Sequence, residues 1–177
     1  CDDGSCVYNL TYVPDDNFEA YLESHSMGNG IANDDSVFTH NINTVTGLSG
    51  PPGPSLWNLN ISDLTGIEDF IALETLNCGA NQLTILDLSN NTALTYLDCS
   101  SNQLSSLDLN TNINLRKLRC YFNNITTLDL SQHSNLIGLA CQYNQLTSLN
   151  VKNGNNQNIY LTFFVTTNNP NLLCIDV

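Results

Sequence analysis

A unit of 21 residues occurs four times in succession and ends at Val151. Each copy follows the pattern L-x-x-L-x-C-x-x-N-x-L-x-x-L-x-L, with Ile or Val in place of Leu at a few positions. The copies begin at Leu73, Leu94, Leu115 and Leu136. Self-similarity at a period of about 20 to 50 residues predicts a stacked array, because each unit buries its apolar face against its neighbours.

This spacing resembles the leucine-rich repeat, in which each copy contributes one short parallel strand to a curved sheet. The resemblance implies a leucine-rich repeat solenoid of mostly β, α/β-type repeats with a short N-terminal helical cap. Six apolar side chains at about 2 kcal/mol each contribute roughly 12 kcal/mol, whereas ordering one coil costs on the order of 30 kcal/mol. A single copy is therefore unstable alone, and the copies must stack.

The apolar pattern within each copy alternates, as a strand with one buried face requires. It predicts that Leu97 and Cys99 point inward and that Asp98 points outward. The segment 107–109 repeats the alternation and is expected to return along the opposite wall. The constant spacing also aligns four asparagines. We expect their amides to bond to backbone groups of the neighbouring coil, because buried polar groups need partners. These are Asn81, Asn102, Asn123 and Asn144.

The net charge of −13 comes from 17 acidic and 4 basic residues. This balance argues against a nucleic-acid partner, because Lys and Arg contacts to phosphate supply most of that affinity. A single sign of charge favours solubility of an extended solenoid. No apolar run approaches the roughly 18 residues of a transmembrane helix. The length of 177 residues suits one domain with a continuous core.

The chain begins with Cys1-Asp2-Asp3-Gly4-Ser5-Cys6 rather than with Met. This motif resembles the end of short Cys-containing modules in large secreted proteins of the Bacteroidetes, so residues 1–12 are interpreted as the tail of a preceding module. An N-terminal Cys of a lipoprotein is the competing interpretation. The start without Met and the abrupt end lead us to expect a piece of a longer polypeptide.

The positions of prolines, glycines and apolar residues divide the rest of the chain into three further segments. Residues 13–48 are predicted to form an N-terminal cap, whose helix start carries Pro14 and a possible capping box from Asp16 to Glu19. Residues 49–60 form a proline-rich loop, because prolines cannot donate to a sheet ladder. Residues 61–177 are the leucine-rich repeats. Their first part, Asn60–Phe70, resembles the convex helix of internalin-like repeats, and their last coil is aligned on Phe163, Val165 and Asn168.

Four cysteines recur every 21 residues at an inward position that other repeats fill with Leu. Parallel side chains about 4.8 Å apart suit neither a zinc site nor a disulfide, so buried, unreactive thiols are expected. This column comprises Cys78, Cys99, Cys120 and Cys141. A local pair of Cys1 and Cys6 would leave Cys174 without a partner in this chain.

The sequence contains little that suggests catalysis. His25, His40 and His133 are scattered, and no nucleophile elbow or phosphate loop occurs. His133 replaces the asparagine of the preceding copies and is interpreted as a turn residue. A column of exposed carboxylates, Asp87, Asp108 and Asp129, could attract calcium, but carboxylates in water tolerate such spacing, and no metal site or cofactor is assigned.

The third copy carries the main candidate binding residues. No Lys or Arg precedes Arg116, yet three basic residues occur within four positions and two aromatic residues follow them. Arg and Tyr are enriched at binding hot spots. The alternative is that Lys117 and Arg119 only neutralise nearby acidic groups such as Asp98. The candidate ligand-binding residues are Tyr96, Asp98, Arg116, Lys117, Arg119, Tyr121, Phe122, Gln142, Tyr143 and Trp57, the last either presented by the proline-rich loop or folded back as a plug.

These features favour a non-catalytic recognition module of an exported or cell-surface bacterial protein, resembling those of exported Bacteroidetes proteins. The resemblance implies that a protein or anionic glycan binds on the sheet face. Two alternatives stay open: an accessory domain of a larger secreted polysaccharide-degrading enzyme, and a structural stalk.

Overall fold

The computed structural model describes residues 9–50, 53–154 and 164–177. It is a solenoid of about four turns built on two parallel sheets, which confirms the predicted leucine-rich repeat fold. The strands are β1 (Leu10–Tyr12), β2 (Ser36–Phe38), β3 (Gly47–Leu48), β4 (Thr75–Asn77), β5 (Tyr96–Asp98), β6 (Lys117–Arg119), β7 (Thr127–Asp129), β8 (Gly138–Ala140), β9 (Ser148–Asn150), β10 (Phe164–Val165) and β11 (Ile175–Asp176). The helices are α1 (Asp16–Ser24) and α2 (Thr39–Ile42), and one 3₁₀ turn spans Ile67–Asp69.

The longer sheet has six strands in the order β10-β8-β6-β5-β4-β3, and the opposite wall has three in the order β11-β9-β7. Leu76, Leu97, Leu118 and Leu139 stand in register on adjacent strands. All four are buried in one hydrophobic core, which runs the length of the solenoid. The inward positions were therefore predicted correctly from the alternation.

The predicted asparagine ladder is present. The side-chain amide of Asn102 donates to the carbonyl oxygens of Cys78 and Cys99, at 3.1 Å each, and its Oδ1 accepts the N–H of Leu83 at 3.0 Å. Asn123 and Asn144 repeat this geometry one coil further each time. Each amide thus joins two coils by satisfying backbone groups that the tight turn leaves unpaired.

A second polar ladder, which the sequence did not reveal, runs along the opposite side of the core. Asn91 donates to the carbonyl oxygens of Ile67 and Phe70, and Asn112 donates to those of Leu88 and Asn91. In the next coil His133 takes this place, with Nε2 3.2 Å from the carbonyl oxygen of Leu109. The histidine is therefore a buried ladder member rather than only a turn residue.

The N-terminal segment closes the open end of the core, as the cap prediction requires. Helix α1 buries Phe18 and Leu22, and the Phe18 ring stacks on Phe70 of the first coil at a centroid distance of 6.3 Å. Gly66 allows close approach on this side: it has a φ of +102°, and a Cβ there would lie 2.7 Å from the carbonyl oxygen of Tyr12.

The predicted capping box is wrong. Asp15, one residue earlier than expected, caps α1 by accepting the N–H groups of Asn17 and Phe18. Glu19 does not reach back to the helix start, because its Oε1 accepts the N–H of Asp34 at 3.1 Å. The carboxylate thus joins the helix to the loop before β2.

The last coil is displaced by one residue from the predicted alignment. Phe164 pairs with Leu139, and Asn169 occupies the ladder position, donating to the carbonyl oxygen of Cys141 at 3.0 Å. Asn168 instead adopts the left-handed conformation that precedes each ladder residue, and Phe163 lies outside the described residues. Asn169 follows Asn144 by 25 residues instead of 21, so a fixed period cannot predict this register.

The proline-rich loop follows β3 in the chain. Ser49 and Ser55 form an antiparallel bridge that closes it, while Pro51 and Pro52 lie outside the described residues. The predicted boundaries at residues 12, 48 and 60 stay predictions. Within the described part of the chain, no helix is long and apolar enough to cross a membrane.

A candidate binding surface on the six-stranded sheet

The basic and aromatic residues of the third copy lie together on the outer face of the six-stranded sheet. The register places Lys117 between Tyr96 and Gly138, and Arg119 between Asp98 and Ala140. Lys117 and Arg119 are exposed, while Leu118 between them is buried. Arg116 is also exposed, but it precedes β6 and lies at the start of the strand.

Asp98 points outward on this face, yet it is only 6% exposed. Its Oδ1 accepts the N–H and hydroxyl of Ser100. Its Oδ2 lies 3.6 Å from Arg119 Nη1 and accepts the Tyr96 hydroxyl at 3.4 Å. These neighbours cover the carboxylate, which sequence alternation alone could not show.

Arg119 therefore has a structural role in addition to any role in binding. Its guanidinium carbon lies 6.0 Å from the centre of the Tyr96 ring, and Nη1 lies 3.4 Å from the Tyr96 hydroxyl. Burial raises the pKa of Tyr96, and the adjacent Asp98 adds to the increase. The Arg119–Asp98 contact is the kind that the charge-compensation interpretation expects. That interpretation does not account for Arg116, and 46% of the Arg119 side chain stays accessible.

A depression of about 510 Å³ opens beside these cations. Gly138 and Ala140 form part of its floor, because their small side chains leave the space that larger residues would fill. Lys117, Arg119 and Tyr121 line one side, and Gln142 contributes to the lining as well. Two other depressions, of about 350 and 450 Å³, lie around Asp87 and have no basic lining residue.

A pair of stacked aromatic rings borders this surface where the strands end. Phe122 and Tyr143 are 50% and 46% exposed, and their ring centroids lie 4.3 Å apart with an interplanar angle of 15°. The Tyr121 ring meets Phe122 edge-on at 5.7 Å. Phe122 and Tyr143 have φ values of +53° and +57°, in a region that bulky side chains seldom adopt. Ala80 and Ser101 have the same conformation, so the coil geometry sets it and presents whichever side chain is there.

Trp57 is 55% exposed and therefore does not plug the core. Asn81 donates to the carbonyl oxygen of Leu56, as Asn102 does to that of Cys78 one coil further. By this correspondence Trp57 shares a row with Tyr121 but lies three coils away, roughly 14 Å at the spacing of adjacent strands. The structure thus brings together the other nine predicted residues and leaves Trp57 at a distance.

The inward cysteine column is buried and unpaired, as predicted. Cys78, Cys99, Cys120 and Cys141 are free thiols with no exposed surface, whereas Cys174 is free and exposed. Burial raises the pKa of Cys78 and that of Cys141 to about 12 each. The predicted pair of Cys1 and Cys6 lies outside the described residues.

The carboxylates of the column on the opposite wall accept hydrogen bonds within local turns. Asp87, Asp108 and Asp129 each accept the N–H of the residue two positions later. These bonds hold the pKa of Asp87 and that of Asp129 below the usual value. The calcium alternative for this column stays untested.

Solved structures similar to this chain include internalins, which are leucine-rich repeat proteins. No protein-family model matches the chain, and no curated protein sequence matches it. One structure is the functional domain of InlJ from Listeria monocytogenes, described as including a cysteine ladder. It is 34% identical with a TM-score of 0.76, and the match covers 96% of this chain and 36% of that chain.

Two further internalins from the same organism share the fold. Internalin inlF is 20% identical with a TM-score of 0.61, over 84% of this chain and 49% of that chain. Internalin C2 is 21% identical with a TM-score of 0.55, over 80% of this chain and 73% of that chain. The chain therefore spans about a third to a half of the first two of these structures.

Proposed function

We propose that this chain is the recognition domain of an exported or cell-surface protein and binds an anionic ligand, on a protein or a glycan, without catalysis. The depression beside Lys117 and Arg119 carries the proposal. It combines cationic side chains, aromatic rings and a floor of small residues, and its volume of about 510 Å³ falls within the range of small-ligand sites.

The charge distribution supports an anionic ligand. The whole chain has a net charge of −13, yet Arg116, Lys117 and Arg119 are three of its four basic residues. One carboxylate, that of Asp98, is covered within the same surface. An arginine can hold a carboxylate or sulfate with two hydrogen bonds, and exposed aromatic rings add apolar contact at low entropic cost. Phe122 and Tyr143 offer such a contact beside the cations.

The similarity to internalins supports a recognition role on the outside of a cell. Such leucine-rich repeat domains are typically protein-interaction modules of surface proteins. An acidic patch on a protein is therefore the first ligand class to test, and a sulfated or uronate-containing glycan is the second.

The direct test compares the Lys117→Gln/Arg119→Gln double variant with Lys152→Gln, which removes the fourth basic residue of the chain, on the opposite wall. The probes are an array of sulfated, uronate-containing and neutral glycans, and biotinylated surface proteins. For a probe that binds the wild type, the double variant should weaken affinity by about 2 kcal/mol, roughly 30-fold. Added NaCl should weaken binding as well.

Gln is preferred to Ala at position 119 because it keeps a donor near the covered carboxylate of Asp98. Melting temperatures of both variants establish that the fold is intact. Binding by the double variant that equals the binding by Lys152→Gln would contradict the proposal. The cations would then serve only local charge compensation.

A further inference from the structure

Three carboxylates in the N-terminal cap come together outside the binding surface. One oxygen each of Asp16, Glu19 and Asp35 lies within 4.8 Å of the other two. Asp16 and Glu19 stand one turn apart at the start of α1, and Asp35 ends the loop that leads to β2. Asp16 and Asp35 are exposed, whereas Glu19 is 1% exposed.

Glu19 differs from the other buried carboxylates described. Both oxygens of Asp15 accept hydrogen bonds, from Asn17, Phe18, Ser62 and Asp63. Both oxygens of Asp98 likewise have partners. Glu19 Oε1 accepts the N–H of Asp34, but Oε2 is buried and has no hydrogen-bond partner among residues 9–50, 53–154 and 164–177. A buried carboxylate oxygen without a donor is costly, and such atoms in native structures call for an explanation.

In the part of the chain that the structure describes, no Lys or Arg pairs with this cluster. The sequence has no Lys or Arg before Arg116, and among the described residues the single ion pair joins Arg119 to Asp98. Nearby carboxylates of the same cap are satisfied differently. Glu23 accepts the N–H groups of Asn29 and Gly30, and Asp34 accepts from Asn29 and Ser36. Burial raises the pKa of Glu19, and the negative charge of Asp34 adds to the increase.

We propose that Asp16, Glu19 and Asp35 bind one calcium ion, which joins the start of helix α1 to the loop before β2. The donors are hard carboxylate oxygens, the kind that Ca²⁺ and Mg²⁺ prefer. A separation of up to 4.8 Å fits two oxygens on opposite sides of Ca²⁺, at about 2.4 Å each. Mg²⁺ demands near-ideal octahedral geometry and loses its water reluctantly, so three carboxylates on a helix and a loop suit Ca²⁺ better. The exposed sides of Asp16 and Asp35 leave further positions for water.

The ion would give the buried Glu19 carboxylate a partner and reduce the repulsion among three like charges. It would also fix the cap against the first coil, because Glu19 belongs to the helix whose Phe18 stacks on Phe70. This site is separate from the carboxylate column of Asp87, Asp108 and Asp129. That column therefore provides a matched control within the same chain.

The test is isothermal titration calorimetry of the full chain, stripped with EDTA, with CaCl₂ and separately with MgCl₂. Wild type and Asp108→Asn should bind one Ca²⁺ with equal affinity. Glu19→Gln and Asp35→Asn should each weaken binding at least tenfold, and Mg²⁺ should bind at least tenfold more weakly than Ca²⁺ to the wild type. Calcium should raise the melting temperature of the wild type and of Asp108→Asn only.

Asp35→Asn decides the outcome if Glu19→Gln fails to fold. Position 35 is exposed, and Asn tolerates its φ of +56°. Absence of binding to the wild type at about 10 mM Ca²⁺, above the range of extracellular calcium modules, would overturn the proposal. Unchanged affinity in Asp35→Asn, or loss of binding in Asp108→Asn, would overturn it too.

Discussion

Single residues in this protein have roles that depend on how deeply the coil buries them. Cys99 and Cys174 are the same residue type, but one stands in the core column and the other is exposed. Burial raises the pKa of the column thiols because the thiolate loses its hydration. Burial also disfavours the charged form of His133, whose imidazole lies in the core beside Leu109. For this residue the pKa is therefore lowered.

Cysteine reactivity should follow this division. During native exposure to iodoacetamide, Cys174 should be alkylated at least about a hundredfold faster than Cys78, Cys99, Cys120 or Cys141, because thiolate and access are both required. Peptide mapping by mass spectrometry gives the rate at each position. Denatured protein, in which all five should react at similar rates, is the control. Rapid native labelling of the column would contradict its burial.

Protonation of His133 should destabilise the fold at acidic pH. Burial lowers the pKa of His133 below 6.5, so the unfolded chain takes up a proton at a higher pH than the folded chain does. The free energy of unfolding should therefore fall as pH decreases below about 6.5, until the folded state is also protonated. His133→Asn, which restores the residue of the preceding copies, should reduce this slope. Denaturant titrations between pH 7 and pH 5 measure it, and identical slopes would exclude His133 as the cause.

Elements in this fold are held by the turns that join them as much as by the strands. The strands of the six-stranded sheet have only two or three residues, so few ladder hydrogen bonds form within each pair. Asparagine amides supply the remaining contacts between the coils, and the turn before each one is left-handed in Ala80, Ser101, Phe122 and Tyr143. The ladder is therefore a structural requirement of every coil.

Asn102→Ala should reduce the free energy of unfolding by about 3 kcal/mol, because two carbonyl groups and the N–H of Leu83 lose their buried partner. Asn110→Ala changes an exposed asparagine of the same coil and should alter stability by less than about 0.5 kcal/mol. Urea unfolding followed by circular dichroism compares the two. Equal effects would mean that the ladder amide contributes no more than a surface residue.

The whole molecule combines a continuous apolar core with a strongly acidic surface. The chain has 17 acidic and only 4 basic residues, and one ion pair occurs among the described residues. Mutual repulsion between surface charges opposes the compact state, and salt screens it. The outer column of Asp87, Asp108 and Asp129 is one local source of this repulsion.

Stability should accordingly rise by about 1 kcal/mol when NaCl increases from about 0.01 M to about 0.15 M. Measurements in EDTA keep divalent ions out of the comparison. The triple variant Asp87→Asn/Asp108→Asn/Asp129→Asn keeps an acceptor for each local turn but removes three charges, so its dependence on salt should be smaller. A decrease in stability with added salt would show that attractive pairs dominate instead.

The solenoid, the inward leucines and cysteines, and the asparagine ladder could all be predicted from the amino-acid sequence. A fixed period with alternating apolar residues predicts a stack of coils, because equivalent side chains then bury one another from coil to coil. Position in the repeat was therefore sufficient to predict burial for Leu118 or Cys120 without any distant contact. It also brought the basic and aromatic residues of the third copy together, since neighbours in a solenoid are one period apart.

Features that depend on contacts outside the repeat could not be predicted in this way. Asp98 is covered because Tyr96 and Arg119 fold over it, and their rotamers are not encoded in a period. Glu19 turns away from its own helix because the N–H of Asp34 lies within reach, a contact between segments 15 residues apart. Phe122 and Tyr143 adopt the left-handed conformation although neither position is a glycine, the residue that would predict it from sequence. The geometry of the neighbouring coils imposes this conformation. Local patterns predict what repeats, whereas contacts made once in the chain require its three-dimensional arrangement.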